Sequence, residues 1–590
     1  MKATVKRILG IILAILMIST SLIGCGDQPA QTSQTPQPSD TSASSTPTAT
    51  APETNADRER VTIRFSQPDT GIDNTAEWKN DTILAEIEKA VNVDIGWDSG
   101  SEGYPERLQT ELISGTAPDL FCNYGEQEKT TKWITDQVVT DLGKILEANP
   151  DRYPILNKMI SSPSYKMYND FYSGDANKSY SLYALYPFKA WAGASVYNAA
   201  LLQKSGFSKA PETVDEFVQF ASKLGEQGIS GWWPRNNKLT NLNEIDKTIF
   251  APNGTTVMSP IGSPWTGFMP VGGKSAVEGE WKLMTASDET KASLKTLAQL
   301  YKSGGLDVGV GIKDDFAQAI DEFVAGKIGA INFGFSNYGQ YSWALDEKWL
   351  KGNPNGSYKD LVLGKTLVGT AGPGVTYNAP FWMGFNWFIP ESCKNPERVL
   401  DLVEFLATDA GQDLLFKGVE GTHYTKDAAG NVTYNKDEWL KTGKIYNIED
   451  GRCQYSWFVF LFAASQQQLK LQSSTDWFET SMNPIVVDTI PDSEAKTYAN
   501  QVVDSYKGSA YGDLPPYFTI IQFTPEINDI RTKLNEITLR YVPSFITGQL
   551  DIEKEWANYA AEYEAAGAKQ LEAAFNEAVK AAKAKFDSFK

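Results

Sequence analysis

The sequence predicts an α/β fold, and three observations carry that reading. Val61-Thr62-Ile63-Arg64-Phe65 alternates as a strand does, and residues 75–91 then place Trp78, Leu84, Ile87 and Val91 at the three- and four-residue steps of a helix. A second strand signal at 91–95 is followed by a helix carrying Leu108 and Leu112. Gly115 and Pro118 stop that helix, and Asp119-Leu120-Phe121 reads as a short buried strand. A β-α-β-α-β order implies a largely parallel sheet, whose functional loops leave the carboxyl ends of its strands.

Later elements repeat the style. Thr213-Val214-Asp215-Glu216 is a capping box, opening a helix with Val214, Phe217, Ala221 and Leu224 on one face. Asn395-Pro396 starts another, with Val399, Leu402, Val403 and Leu406 inward. Residues 551–590 are rich in Ala, Glu and Lys and read as terminal helices. No short-period repeat is present.

The chain has 590 residues, enough for two or three domains or one large two-lobed unit. Hydrophobic residues make up 41% and charged residues 22%, the balance of a globular protein rather than a disordered one. A formal charge of −19 argues against a surface that recruits nucleic acid or anionic lipid. Aromatic residues reach 12%, more than core packing requires, which leaves a surplus for recognition.

The N-terminus carries an export address. Lys2, Lys6 and Arg7 precede an apolar run over 8–18, too short to span a bilayer and fitting a secretory signal. The run ends in Leu22-Ile23-Gly24-Cys25, which resembles a bacterial lipobox. On that reading residues 1–24 are a lipoprotein signal peptide and Cys25 is the lipidated first residue of the mature chain. Residues 26–60 hold no Val, Ile, Leu, Met, Phe, Tyr or Trp, so 25–60 is expected to be a disordered Pro/Ser/Thr tether.

Catalytic signatures are mostly missing. Five residues separate Gly267 from Gly273 where a phosphate loop needs four, and no strong strand leads in. Asp427 to Asn431 lacks alternating calcium ligands and reads as a hairpin turn about Gly430. His423 is the sole histidine, which fits a structural hydrogen bond better than a catalytic base. Cys122, Cys393 and Cys453 show no CxxC spacing, so neither a zinc site nor a disulfide is expected. No cofactor, no metal and no enzymatic activity are expected. A glycosidase needs only two acids about 5–9.5 Å apart in space, which a sequence does not report.

Four segments in order carry a resemblance. They are Gly115-Thr116-Ala117-Pro118-Asp119-Leu120-Phe121; 183–188 with Val196-Tyr197-Asn198 and the turn at Gly206; Phe323 to Phe333 through Gly326; and 385–397 running on to Gly418-Val419-Glu420-Gly421-Thr422-His423-Tyr424-Thr425. Over about 61–590 the chain resembles the family 1 extracellular solute-binding proteins of carbohydrate ABC transporters, in particular the long Gram-positive lipoproteins. The resemblance implies a two-lobed periplasmic-binding-protein-like fold of type II, maltose-binding-protein-like, with a hinge between lobes. Lobe one would hold about 61–187 and 387–450, and lobe two about 192–380 and 455–590. The crossings would fall near 187–191, 381–388 and 453–458. It further implies a lipid-anchored protein on the outer face of the cell membrane that delivers an oligosaccharide to permease subunits. A cell-surface glycosidase or polysaccharide lyase, or a peptide or pheromone receptor on the same fold, are the alternatives.

Sugar recognition asks for an aromatic ring against the apolar face of a pyranose and planar polar partners for its hydroxyls. Asn123, Tyr124 and Glu126 follow the strand ending at Phe121 and match the family's first-lobe sugar loop. Gln67 and Asp69 follow the first strand in the same way. Trp191 stands by the first crossing. Trp232, Trp233, Arg235 and Asn236 form a polar-aromatic cluster; Phe335, Asn337 and Tyr338 follow the strand at Ile331; and Trp382 precedes the second crossing.

Overall fold

The computed structural model describes residues 58–68, 82–100, 104–124, 127–183, 194–234, 242, 245–273, 276–307, 316–333, 349, 351–378, 385–430, 432–435, 438 and 511–590. All of them belong to one compact unit, Thr54–Lys590.

Among the described residues nine strands build two main sheets. In chain order they are β1 (Val61–Pro68), β2 (Val93–Gly100), β3 (Leu120–Tyr124), β4 (Leu182–Tyr183), β5 (Ala194–Asn198), β6 (Ser230–Trp233), β7 (Ile328–Phe333), β8 (Leu361–Leu363) and β9 (Phe385–Phe388). The first sheet runs β2-β1-β3-β9-β4 and the second β8-β5-β7-β6. β1 pairs in parallel with β2 and β3, as the β-α-β-α-β order predicts, whereas β9 joins antiparallel to both β3 and β4. In the second sheet β6 and β7 are parallel and β5 is antiparallel to β7 and β8. The chain therefore completes most of one sheet, builds the other, and returns to insert β9 into the first.

Local sequence explains the boundaries. The helix Thr82–Val91 buries Ile83, Leu84, Ile87 and Val91. It ends because Asn92 takes φ 52, a left-handed conformation that asparagine tolerates better than most residues. The second strand thus starts at Val93, not at residue 91 as the alternation suggested. Trp78 lies outside the described residues. The helix Tyr104–Ser114 stops at Gly115, φ 71, as expected. The capping box is present: Glu216 N donates to Thr213 Oγ1 at 3.2 Å, and Thr213 N donates to Glu216 Oε2 at 3.2 Å. That helix, Val214–Gly225, lies so close on the second sheet that a Cβ on Gly231 would stand 2.4 Å from the Ala221 carbonyl oxygen. Gly231→Ala is therefore expected to cost about 1–3 kcal/mol by overpacking, read as a lower urea midpoint.

The helix Pro396–Ala407 turns charged as well as apolar side chains inward. Its apolar positions Val399, Leu402, Val403 and Leu406 are buried as the pattern predicts, but Arg398, Asp401 and Glu404 are buried too. Asp401 receives Arg152 through Nε at 2.7 Å and Nη2 at 2.8 Å, Arg58 Nη1 at 3.0 Å, and Arg398 from the preceding turn. Arg398 Nη2 in turn donates to the Val91 carbonyl oxygen at 2.7 Å, where the first helix ends. Glu404 accepts from Ile155 N at 2.8 Å and Leu156 N at 2.9 Å, satisfying free amides at the start of the helix Pro154–Ile160.

Three C-terminal helices, Pro525–Thr547, Ile552–Ala565 and Ala568–Asp587, pack on the helix Asp288–Lys302 and the hairpin Phe268–Pro270/Trp281–Leu283. Only those beyond residue 551 were anticipated. The hairpin occupies the glycine-rich stretch around Gly267, so no strand-loop-helix phosphate cradle forms there. The pairing of Tyr424–Lys426 with Val432–Tyr434 likewise gives the expected hairpin, with Gly430 at φ 85 and Asp427 Oδ1 accepting from Ala429 N at 2.9 Å.

Candidate functional site at the carboxyl edges of two sheets

The carboxyl edge of the first sheet gathers the ends of β1, β2 and β3 and the start of β9. Register places Gln67 beside Ser99, Asn123 opposite Asn386, and Tyr124 opposite Phe385. The sequence-predicted residues Gln67, Asn123 and Tyr124 thus share one edge. Asp69 and Glu126 lie outside the described residues.

Beneath that edge is a polar layer that the sequence reading missed. Ser66, Tyr104, Tyr172 and Asn386 are all buried, and the Tyr104 hydroxyl donates to the Cys122 carbonyl oxygen at 3.1 Å. Burial pushes the Tyr172 hydroxyl up to about 12, while a hydrogen bond from Asn386 opposes the shift. On the other face Trp387 stacks on Phe65, ring centroids 4.8 Å apart, which makes Trp387 core. Cys122 is also buried, and burial raises its thiol well above the ordinary value, leaving it an unreactive thiol.

In the second sheet, β6 and β7 end at the edge where β5 begins. Trp191, Arg235 with Asn236, and Phe335 with Asn337 flank those three strand ends in sequence and lie outside the described residues, as do Trp382 and Cys25. Asn332, in β7, ties the edge together. Its Oδ1 accepts from Ser195 Oγ at 2.9 Å and from the Trp232 indole N–H, and its Nδ2 donates to Thr248 Oγ1 at 3.0 Å. Trp232 is 0% exposed and meets Phe217 edge-on at 5.1 Å; Trp233 is 2% exposed. The structure corrects the expectation for Trp232: an indole enclosed by Phe217 and bonded to Asn332 is core packing, with no free face for a pyranose. Trp233, next along the strand, is enclosed as well.

Thr248 belongs to a single π-helical turn, Asp246–Phe250. Burial pushes the Asp246 carboxyl up to about 7, although Val257 N donates to it at 2.7 Å. An unfolded aspartate titrates near pH 3.9, so between these values the folded protein holds a proton that the unfolded chain has released. Stability is expected to fall as pH rises from about 4 to about 7, by on the order of 4 kcal/mol in all. Asp246→Asn should flatten that slope in urea midpoints measured across the range.

His423 is buried and accepts from Val419 N at 2.9 Å through Nδ1, the structural role expected of it. Among the described residues no group of three or more His, Cys, Asp or Glu could hold a metal, and no helix is long and apolar enough to cross a membrane. Cys122 and Cys393 form no disulfide, and Cys453 lies outside the described residues.

Comparison with solved structures finds the same architecture. The chain is similar to the Streptococcus pneumoniae ABC-transporter substrate-binding protein FusA in complex with kestose, at 18% identity and TM-score 0.58, over 89% of this chain and 99% of that one. It is also similar to an extracellular solute-binding protein from Bifidobacterium longum subsp. infantis, at 16% identity and TM-score 0.58, over 90% and 100% of the two chains. The N-glycan transport solute-binding protein NgtS of Streptococcus pneumoniae aligns at 14% identity and TM-score 0.54, over 90% and 98%. No curated protein matches. Residues 73–413, more than half of the chain, match the profile of the bacterial extracellular solute-binding proteins. That stretch holds β2 to β9, and by it the chain belongs to the family of bacterial extracellular solute-binding proteins.

Proposed function

We propose that this protein is a lipid-anchored receptor that captures an oligosaccharide between two lobes and hands it to an ABC permease. The observation that carries the reading is the return of β9 into the first sheet, antiparallel between β3 and β4. Two sheets joined by adjacent chain crossings form the kind of hinge that closes around a solute. The relatives named for kestose and N-glycan supply the ligand class. Edge residues Gln67, Asn123 and Tyr124, with Asp69, Glu126, Trp191, Arg235, Asn236, Phe335, Asn337 and Trp382 from the flanking segments, are the proposed contacts. Cys25 and the tether after it support anchoring at the outer membrane face, where Cys25→Ala should abolish incorporation of a fatty-acid analogue.

A thermal-shift screen across plant, host and microbial oligosaccharides tests capture directly. A sugar at 100 times its Kd should add about 2.7 kcal/mol of stability. Chromatography after prolonged incubation should return that sugar unchanged. Sustained cleavage by pure protein would replace the receptor with a cell-surface glycosidase or lyase, and stabilisation by peptides alone would replace the sugar.

A further inference from the structure

The carboxyl edge of the first sheet contains a buried acceptor left without a hydrogen bond. Asn386 is 1% exposed, yet its Oδ1 meets no hydrogen-bond donor among the described residues, while the amide end of the same side chain faces Tyr172. An unmade hydrogen bond on a buried carboxamide oxygen costs stability, so a side chain kept there solely for folding would be a poor choice. Its position is specific. Asn386 is the second residue of β9, paired with Asn123 on one side and with Tyr183 on the other. Tyr183 is the last residue of the strand by which the chain leaves the first sheet, and β9 is the strand by which it returns. By register Ser66, Phe121 and Asn386 share a face, and Ser66 Oγ, also buried there, makes no side-chain hydrogen bond that meets ordinary geometry. Trp387 points to the opposite face and packs on Phe65, so the polar character is confined to one side of the strand.

We propose that Asn386 is a ligand-contacting, specificity-determining residue of the first lobe, its Oδ1 accepting a hydrogen bond from a hydroxyl of the captured oligosaccharide at the base of the site. The assignment rests on the capture function proposed above. A carboxamide is neutral and planar and presents one fixed acceptor, which suits a sugar hydroxyl. A site built around such a hydroxyl discriminates strongly, because a ligand lacking it leaves the acceptor unpaired.

The test separates binding from stability. Asn386→Leu removes the orphaned acceptor together with the amide that faces Tyr172, so the melting temperature of the variant should change little. Its Kd for the sugar that stabilises the wild type in the screen should weaken at least tenfold. A merely structural Asn386 gives the reverse, a lower melting temperature with an unchanged Kd in the folded fraction, and that result overturns the proposal. Should leucine prevent folding, Asn386→Ala is read in the same way, by titration calorimetry on the folded protein. An unchanged Kd in either variant also overturns it. A wild type stabilised by no sugar in the panel fails the capture function instead, and this assignment falls with it.

Discussion

Asp401→Ala is expected to destabilise the protein by roughly 3–5 kcal/mol, the usual consequence of removing one partner from a buried ion network. The Asp401 side chain is 2% exposed and carries contacts to Arg58, Arg152 and Arg398. Removing it leaves three guanidinium groups crowded together, each with its charge at least partly withdrawn from water. Their attachments then loosen in turn: the entry to β1 at Arg58, the segment before the helix Pro154–Ile160 at Arg152, and the end of the helix Thr82–Val91 through Arg398. Asp401→Asn, which keeps the shape and one acceptor oxygen, should lose less. Urea denaturation of the three proteins measures both numbers, and an Asp401→Ala variant as stable as the wild type would show that the cluster is solvated and slack.

Asn332→Leu should rank next, at about 2–4 kcal/mol. Leucine fills the space but abandons the Trp232 indole N–H and the Ser195 and Thr248 hydroxyls, all three in the interior of the second lobe. Pairing it with Trp232→Phe in a double-mutant cycle separates network from packing. Two members of one network should show a coupling of about 0.5–3 kcal/mol, and strict additivity would mean that the bond to Trp232 contributes nothing.

What the sequence made legible was local. The capping box at Thr213 and Glu216, the stop at Gly115 and the start at Asn395-Pro396 each depend on residues within a turn or two. A periodic pattern or a cap reports such features directly. The helix Pro525–Thr547 also carried a local signal in its cap, Thr524 followed by Pro525 and closed by Gly548, but Pro543 interrupts its interior and hides the pattern. Asn332, Asp401 and Asn386 were invisible for a different reason. Their partners lie far away in sequence: Thr248 is 84 residues from Asn332, and Arg152 is 249 from Asp401. A single asparagine in a strand looks the same whether it faces water or joins three elements. Trp232 failed in the opposite direction, since an aromatic beside polar residues suits recognition and packing equally until its enclosure by Phe217 is seen.

The late arrival of β9 governs the order in which the chain can fold. Until residues 385–388 are made, β3 has no neighbour on its outer side, and β4, only two residues long, has no strand to pair with. Arg152 must wait for Asp401 over the same interval. The second sheet, by contrast, draws all of its strands from 194–363 and can close first. The N-terminal half of the first lobe is thus synthesised early and finished late. A chain of this design stays open at one sheet edge through most of its emergence, a long-range topology that folds slowly and exposes strand edges meanwhile. Such a chain remains threadable until its synthesis is well advanced, and a nonsense truncation between residues 364 and 384 should keep all four strands of the second sheet beside a first sheet that lacks β9.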